Sequence, residues 1–259
     1  MTTTWIPRDG FPAGVTYKYN PVDIIQPILD NIDESCYLEI GVDEGNTFDK
    51  INATVKHGVD PYGASPSITH KMTSQMFFAM NKYFWHHQYD VIFLDGCHMA
   101  EVIIAEIMQA LYILKPLTGV VVLHDTVPVN EEAQLVLEED YEAFFNNVVN
   151  GEKTFRQGTN ERTWRGYNGD TWKAVAALRR MNPTMPLATV TAACTTVLYP
   201  FLDQMVSIPP LPDSFGEMKL DWDTYVDHGE TILNLASYEN FIEVNTHIYA
   251  RLREALGEK

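Results

Sequence analysis

The sequence predicts an α/β protein: a Rossmann-like doubly wound sheet, mostly parallel, with helices on both faces. Three observations predict it. Residues 90–128 read as strand, helix, strand, because the apolar runs Val91 to Leu94 and Val120 to Leu123 flank a long apolar helix pattern, Met99 to Leu114. Two strands joined by such a crossover are parallel neighbours in one sheet. An earlier apolar run, Cys36 to Gly41, ends in a glycine-containing turn and leads into helical periodicity. Short apolar runs then alternate with helical patterns along the chain, as an α/β sheet requires.

Taken in order, residues 1–20 are rich in Pro, Gly and aromatics and form an irregular arm. Pro21 to Asn31 is a short amphipathic helix containing Pro27, which can kink or divide it. After the first strand, Asn46 to Lys56 has Phe48, Ile51 and Val55 at helical spacing, so a helix is expected there. His57 to Pro61 is a second strand stopped by proline. Thr73 to Phe84 reads as a helix capped by Thr73 or Ser74. Lys115 to Gly119 turns the chain into the last strand of the central unit.

Residues 129–170 change character: acidic residues crowd 131–142, and a polar loop follows, as in an insertion over the mouth of a site. Asp170 or Thr171 caps a helix through Arg180. Leu187 to Tyr199 holds one or two strands, and residues 221–256 are mostly helical. One domain accounts for all 259 residues: an arm and helix (1–34), a core (35–128), an insertion (129–170) and a C-terminal completion of the sheet (171–259).

Composition excludes some functions. Eighteen basic against 35 acidic residues give a net charge of −17, and Lys and Arg form no run. Such a surface repels polyanions, which argues against nucleic acid and anionic membranes. Three cysteines, Cys36, Cys97 and Cys194, lie far apart without a C-x-x-C pair, so neither a disulfide framework nor a structural zinc site is expected. With no signal pattern and no bilayer-length apolar segment, a soluble cytoplasmic protein is the expectation. Exposed aromatics in the arm fit self-association into a homo-oligomer.

The chemistry-bearing residues sit at strand ends, where open α/β sheets bind ligands. Asp95 ends one central strand and His124 and Asp125 end the other; His98 stands just before the intervening helix. The four should meet in space. An imidazole at a helix N-terminus faces the positive end of the dipole, which disfavours its protonation and leaves His98 available as a base. Asp95 and Asp125 can share a divalent cation, for which hard oxygen ligands favour magnesium. His124 is either a third ligand or a residue hydrogen-bonded to a backbone carbonyl at a packed strand end. Trp164 and Trp172 could help wall an acceptor pocket, and His86-His87 reads as surface.

The order E-x-G-x-x-x-G (Glu39, Gly41, Gly45), then V-D-P (Asp60), then D-G-x-H (Asp95 to His98), then K-P-x-x-G-V-V-V-L-H-D-T resembles the class I S-adenosylmethionine-dependent methyltransferases. It is most similar to the small-molecule and sugar O-methyltransferase branch that also includes cephalosporin-hydroxylase-type proteins. The resemblance covers residues 35–128, and Gly169-Asp170-Thr171-Trp172-Lys173 is similar to a G-D-x-W-K element of some relatives. One departure is K-P-L-T-G at 115–119, where relatives usually have K-P-G-G. Another is His124, where metal-dependent relatives usually have an acidic residue.

The resemblance implies that Glu39, Gly41 and Gly45 line the methionine part of S-adenosylmethionine, that Asp60 holds its ribose, and that Ser74 lies near its adenine, with Asp95 also at the cofactor. It implies a divalent cation at Asp95, Asp125 and His124, with His98 as base, and a hydroxylated small molecule or sugar as methyl acceptor. Two rivals remain open at this stage. One is a metal-dependent hydroxylase or hydrolase on the same fold; the other is a non-catalytic binding or assembly protein.

Overall fold

The computed structural model describes residues 6–7, 10, 17–81, 88–136, 168–201 and 206–256. His86-His87, Trp164, most of the arm and most of the 129–170 insertion lie outside the described residues. Seven strands form one sheet: β1 (Cys36–Ile40), β2 (Val55–Val59), β3 (Val91–Leu94), β4 (Val120–Leu123), β5 (Leu187–Val190), β6 (Thr195–Leu198) and β7 (Leu235–Ala236). Their spatial order is β2-β1-β3-β4-β6-β5-β7. Strands β2, β1, β3 and β4 run parallel, and β6 is inserted antiparallel to both β4 and β5. The predicted doubly wound, mostly parallel sheet is therefore the observed one.

Among the described residues six helices flank it: α1 (Pro21–Leu29), α2 (Ser74–Asn81), α3 (Ala100–Ile113), α4 (Thr171–Met181), α5 (Trp222–Ile232) and α6 (Tyr238–Leu256). Strand periodicity divides the core into two layers. Leu38, Ile40, Ile92, Leu94, Val121 and Leu123 face α3, α4 and α5, where Trp172, Trp222 and Tyr225 are buried. Tyr37, Val91, Phe93, Val120 and Val122 face α1 and α6. Trp172 is fully buried, and its indole N–H donates to Gln134 at 2.6 Å. It is a core residue, which corrects its assignment to an acceptor wall. No helix among the described residues is long and apolar enough to cross a membrane.

The helix expected over residues 46–56 does not form. Only a 3₁₀ turn, Phe48–Lys50, is present, because β2 must start at Val55 to pair with Cys36. Side chains satisfy the backbone groups that a helix would have paired. Gln26 brackets Asn52, accepting from its N–H at 2.8 Å and donating to its carbonyl at 3.1 Å. Lys56 donates to the carbonyls of Phe48 and Ile51. Phe48 and Ile51 still enter the core, so their spacing reported burial correctly and helix wrongly. Residues 187–199 resolve into two antiparallel strands joined by a 3₁₀ turn at Thr191–Ala193. Cys194 leaves that turn in the left-handed conformation, with φ +52°.

The turn into β4 carries a strain of its own. Leu117 is 54 % exposed and holds φ at +72°, a region where a Cβ collides with its own carbonyl. Glycine adopts this conformation without that collision, but it also loosens the unfolded chain. Leu117→Gly should therefore raise stability by about 0.5–1 kcal/mol, read as a higher urea midpoint at unchanged slope. A lower midpoint would show that the leucine side chain contributes packing that outweighs its backbone strain.

Candidate functional site

Parallel register brings the strand ends level. Ile40 pairs with Leu94, and Leu94 pairs with Leu123, so the residues that follow, Gly41, Asp95 and His124, leave the sheet side by side. The chain runs from β1 to β2 on one side and returns to β3 on the other. The crevice between β1 and β3 is thus the topological switch point, where open α/β sheets take ligands. At this point Gly41 has φ +92°, and a Cβ there would lie 2.3 Å from the Asp95 carbonyl oxygen. The glycine is required because the end of β3 occupies that space.

Beyond Leu94 and Leu123 the four sequence-selected groups converge. His124 Nδ1 lies 3.0 Å from Asp95 Oδ1 and 3.5 Å from Asp125 Oδ2. His98 Nδ1 lies 3.3 Å from Asp125 Oδ2, and its Nε2 lies 3.6 Å from Asp95 Oδ1. Among the described residues, Asp95, His98 and Asp125 each offer a ligand atom within 4.8 Å of the others. Their side chains are 12–23 % exposed, so the cluster is reachable from solvent. His124 Nδ1 faces two carboxylates, so the bond to a backbone carbonyl is not the one observed.

The electrostatics reverse one expectation. Burial favours neutral imidazoles, but Asp125 and Asp95 outweigh it and raise the His98 pKa above its ordinary value. The same balance raises His124 further. The helix dipole acts against protonation, yet two carboxylates in near contact are stronger than a partial charge at the head of α3. Conversely, burial would raise the carboxyls of Asp95 and Asp125, but the imidazoles hold both below the usual carboxylate range.

A second layer, missed from sequence, supports the cluster. Asn168 Nδ2 donates to Asp125 Oδ1 at 2.7 Å and contacts Cys194 Sγ at 3.3 Å. Asp170 was expected to cap its own helix, α4, but makes no such side-chain bond. Its carboxylate instead accepts the Ala100 N–H at 2.8 Å and so caps α3, seventy residues away in sequence. The G-D-T-W-K stretch marked this region, but no spacing rule ties residue 168 to residue 125 or residue 170 to residue 100. A separate cavity of about 530 Å³, lined by Arg179, Arg180, Pro209, Leu211 and Phe215, shares no residue with the cluster.

The remaining residues proposed to hold a cofactor are disposed as follows. Asp60 directly follows β2, and its carboxylate accepts N–H groups from Asp43, Tyr62 and Gly63. A carboxylate has about four lone-pair sites, so one is left for a further donor. Gly45 has φ +83° and sits against Asp49 and Ser65. Ser74 heads α2, is buried, and hydrogen-bonds the Glu106 carboxyl. Glu39 is 1 % exposed and takes the Tyr37 hydroxyl at 2.5 Å. Its carboxyl therefore braces the strand from behind the glycine turn.

No protein-family model matches the chain. No curated protein matches it either. Among solved structures, the chain is similar to the CurJ carbon methyltransferase, at 16 % identity and a TM-score of 0.31, over 66 % of this chain and 50 % of that one. The chain thus spans half the length of that structure. A likeness this distant carries no argument about chemistry, which rests on the site.

Burial pushes the Glu39 carboxyl up from its ordinary 4.5 to about 8, against the Tyr37 hydrogen bond and with the Asp95 charge adding to it. Between those values the folded protein binds more protons than the unfolded chain, so this group makes stability fall as pH rises from about 4.5 to about 8. Glu39→Gln keeps an acceptor for Tyr37 and cannot ionise. Urea unfolding at both ends of that window should show wild type losing stability relative to the variant on the order of a few kcal/mol. Parallel pH dependences would show that Glu39 ionises without cost.

Proposed function

We propose that the chain is an S-adenosylmethionine-dependent O-methyltransferase that acts on a hydroxylated small molecule or sugar with divalent-cation assistance. The observation that carries this reading is the double role of Asp95. Its carbonyl packs over Gly41 at the switch-point crevice, while its carboxylate belongs to the aspartate–histidine cluster. A cofactor in that crevice and an acceptor at the cluster would therefore be immediate neighbours. The motif order from Glu39 through Asp60 to Asp95 and Asp125 supports the same assignment of the crevice.

The donor chemistry fits a cation. Two carboxylates that repel each other, with imidazole beside them, form a set that a divalent ion would satisfy in place of protons. Asp95 and Asp125 would hold it with His124, and it would supply charge stabilisation for an ionising hydroxyl. Carboxylates suit magnesium or manganese, whereas an imidazole in the set suits zinc or iron. S-adenosylmethionine, when bound, supplies the electrophilic methyl group; the motif order assigns Gly41, Gly45, Asp60 and Ser74 to it, with Glu39 bracing the strand that ends at Gly41.

His98 is assigned the proton from the acceptor hydroxyl. One lone pair cannot bind a cation and take a proton, so this assignment leaves the ligand role to His124. Because Asp125 and Asp95 raise the His98 pKa, the base form becomes available above the ordinary imidazole range. The net charge of −17 supports a neutral or cationic acceptor over a polyanionic one. A metal-dependent hydroxylase is the second reading. It is favoured by the two imidazoles in the cluster, since two histidines and a carboxylate also make an oxygen-activating iron site.

Calorimetric titration with S-adenosylhomocysteine, with and without magnesium or manganese, separates the two. Binding in the micromolar range is expected for wild type, with a cation heat that disappears in Asp95→Asn. Absence of nucleoside binding under every condition would sink the methyltransferase reading and favour the hydroxylase. Cation binding unaltered in Asp95→Asn would remove the cluster as its site.

A further inference from the structure

Three consecutive residues before α4 hold both halves of the cluster. Asn168 grips Asp125 through the 2.7 Å bond to Oδ1. Gly169, at φ +58°, lies so close to His98 that a Cβ would stand 2.0 Å from the His98 carbonyl oxygen. Asp170 donates its N–H to that carbonyl at 3.1 Å and receives the Ala100 N–H. Nothing in the β4 sequence selects which oxygen of Asp125 faces His98 and His124. Asn168 does: with Oδ1 engaged, Oδ2 is the atom 3.3 Å from His98 and 3.5 Å from His124.

The amide is itself fixed. The Asn168 backbone N–H donates to the Ala133 carbonyl, and the Asn168 backbone carbonyl accepts the Thr171 hydroxyl. Both Nδ2 hydrogens have partners, Asp125 and Cys194, and the reverse orientation would set an amide oxygen against a carboxylate oxygen. The Cys194 Sγ also lies 3.8 Å from Asp125 Oδ1, on the same side of the carboxylate as the amide. Asn168 Oδ1, by contrast, is buried with no partner. The nitrogen is thus fully used, while the oxygen is left at a cost.

We infer that Asn168 is a positioning residue: it orients the Asp125 carboxylate so that Oδ2 is presented to a divalent cation. This rests on the reading that the cluster binds such an ion. Outer partners of this kind commonly set ligand orientation, and their loss lowers affinity by about 10–100-fold.

The test uses Mn²⁺ alone on the full chain, followed by electron paramagnetic resonance of free and bound ion. Wild type, Asn168→Ala and Ile248→Val are compared, the last being a destabilised control in the opposite core layer. Asn168→Ala should weaken Mn²⁺ binding by about 10–100-fold and change the zero-field splitting of what remains bound. Ile248→Val should change neither. Wild-type affinity and an unaltered spectrum in Asn168→Ala would overturn the inference while leaving the cation site standing. An equal loss in both variants would reduce Asn168 to a folding role. No binding by wild type would remove the cation site and the inference with it.

Discussion

Asp95 and Asp125 end adjacent parallel strands, with His98 and His124 between 3.0 and 3.6 Å from their oxygens, and the surrounding structure follows from holding these four groups together. Two carboxylates at one poorly solvated edge repel strongly unless positive charge lies between them. The imidazoles supply it, which is why their pKa values rise while those of the aspartates fall. A cation would supply the same compensation. Protons and a bound metal would thus compete for one set of atoms.

That requirement reaches into the sheet on both sides. Glu39, one strand away, is kept near neutral by burial up to a pH of about 8, which limits the negative charge gathered around Asp95. Glu106 on α3 is likewise buried and raised to about 7. Both carboxyls are counted as charged in the formal net charge of −17, yet burial limits what they add beside the cluster.

The backbone around the cluster is held in conformations that regular structure does not use. Asp125 has φ +56° and Cys194 φ +52°, both non-glycine residues in the left-handed region. Gly41 and Gly169 allow backbone contacts that any side chain would block. The left-handed conformations of Asp125 and Cys194 each cost stability. The two core layers offset that cost, with Trp172, Tyr37 and Phe93 among the fully buried side chains. The layers also explain why α3 can start beside the site: Asp170 caps it from another element, since Met99 offers no side-chain cap.

The sequence alone determined the sheet, the central crossover and the four-residue cluster. Val91 to Leu94 and Val120 to Leu123 are short apolar runs whose length and flanks admit little except buried parallel strands, and parallel register then brings Asp95 beside His124. Local pattern was enough because each of those relations follows from strand geometry. Tertiary structure decided the rest. Phe48 and Ile51 have helical spacing, but the start of β2 and the side chains of Gln26 and Lys56 remove the helix. His98 has a helix dipole in sequence and two carboxylates in space, and the carboxylates prevail because Coulomb energy depends on distance, which a sequence does not contain. For the same reason Asn168 and Asp170 were silent: their partners lie 43 and 70 residues away and are brought near only by the packing of α4 against α3.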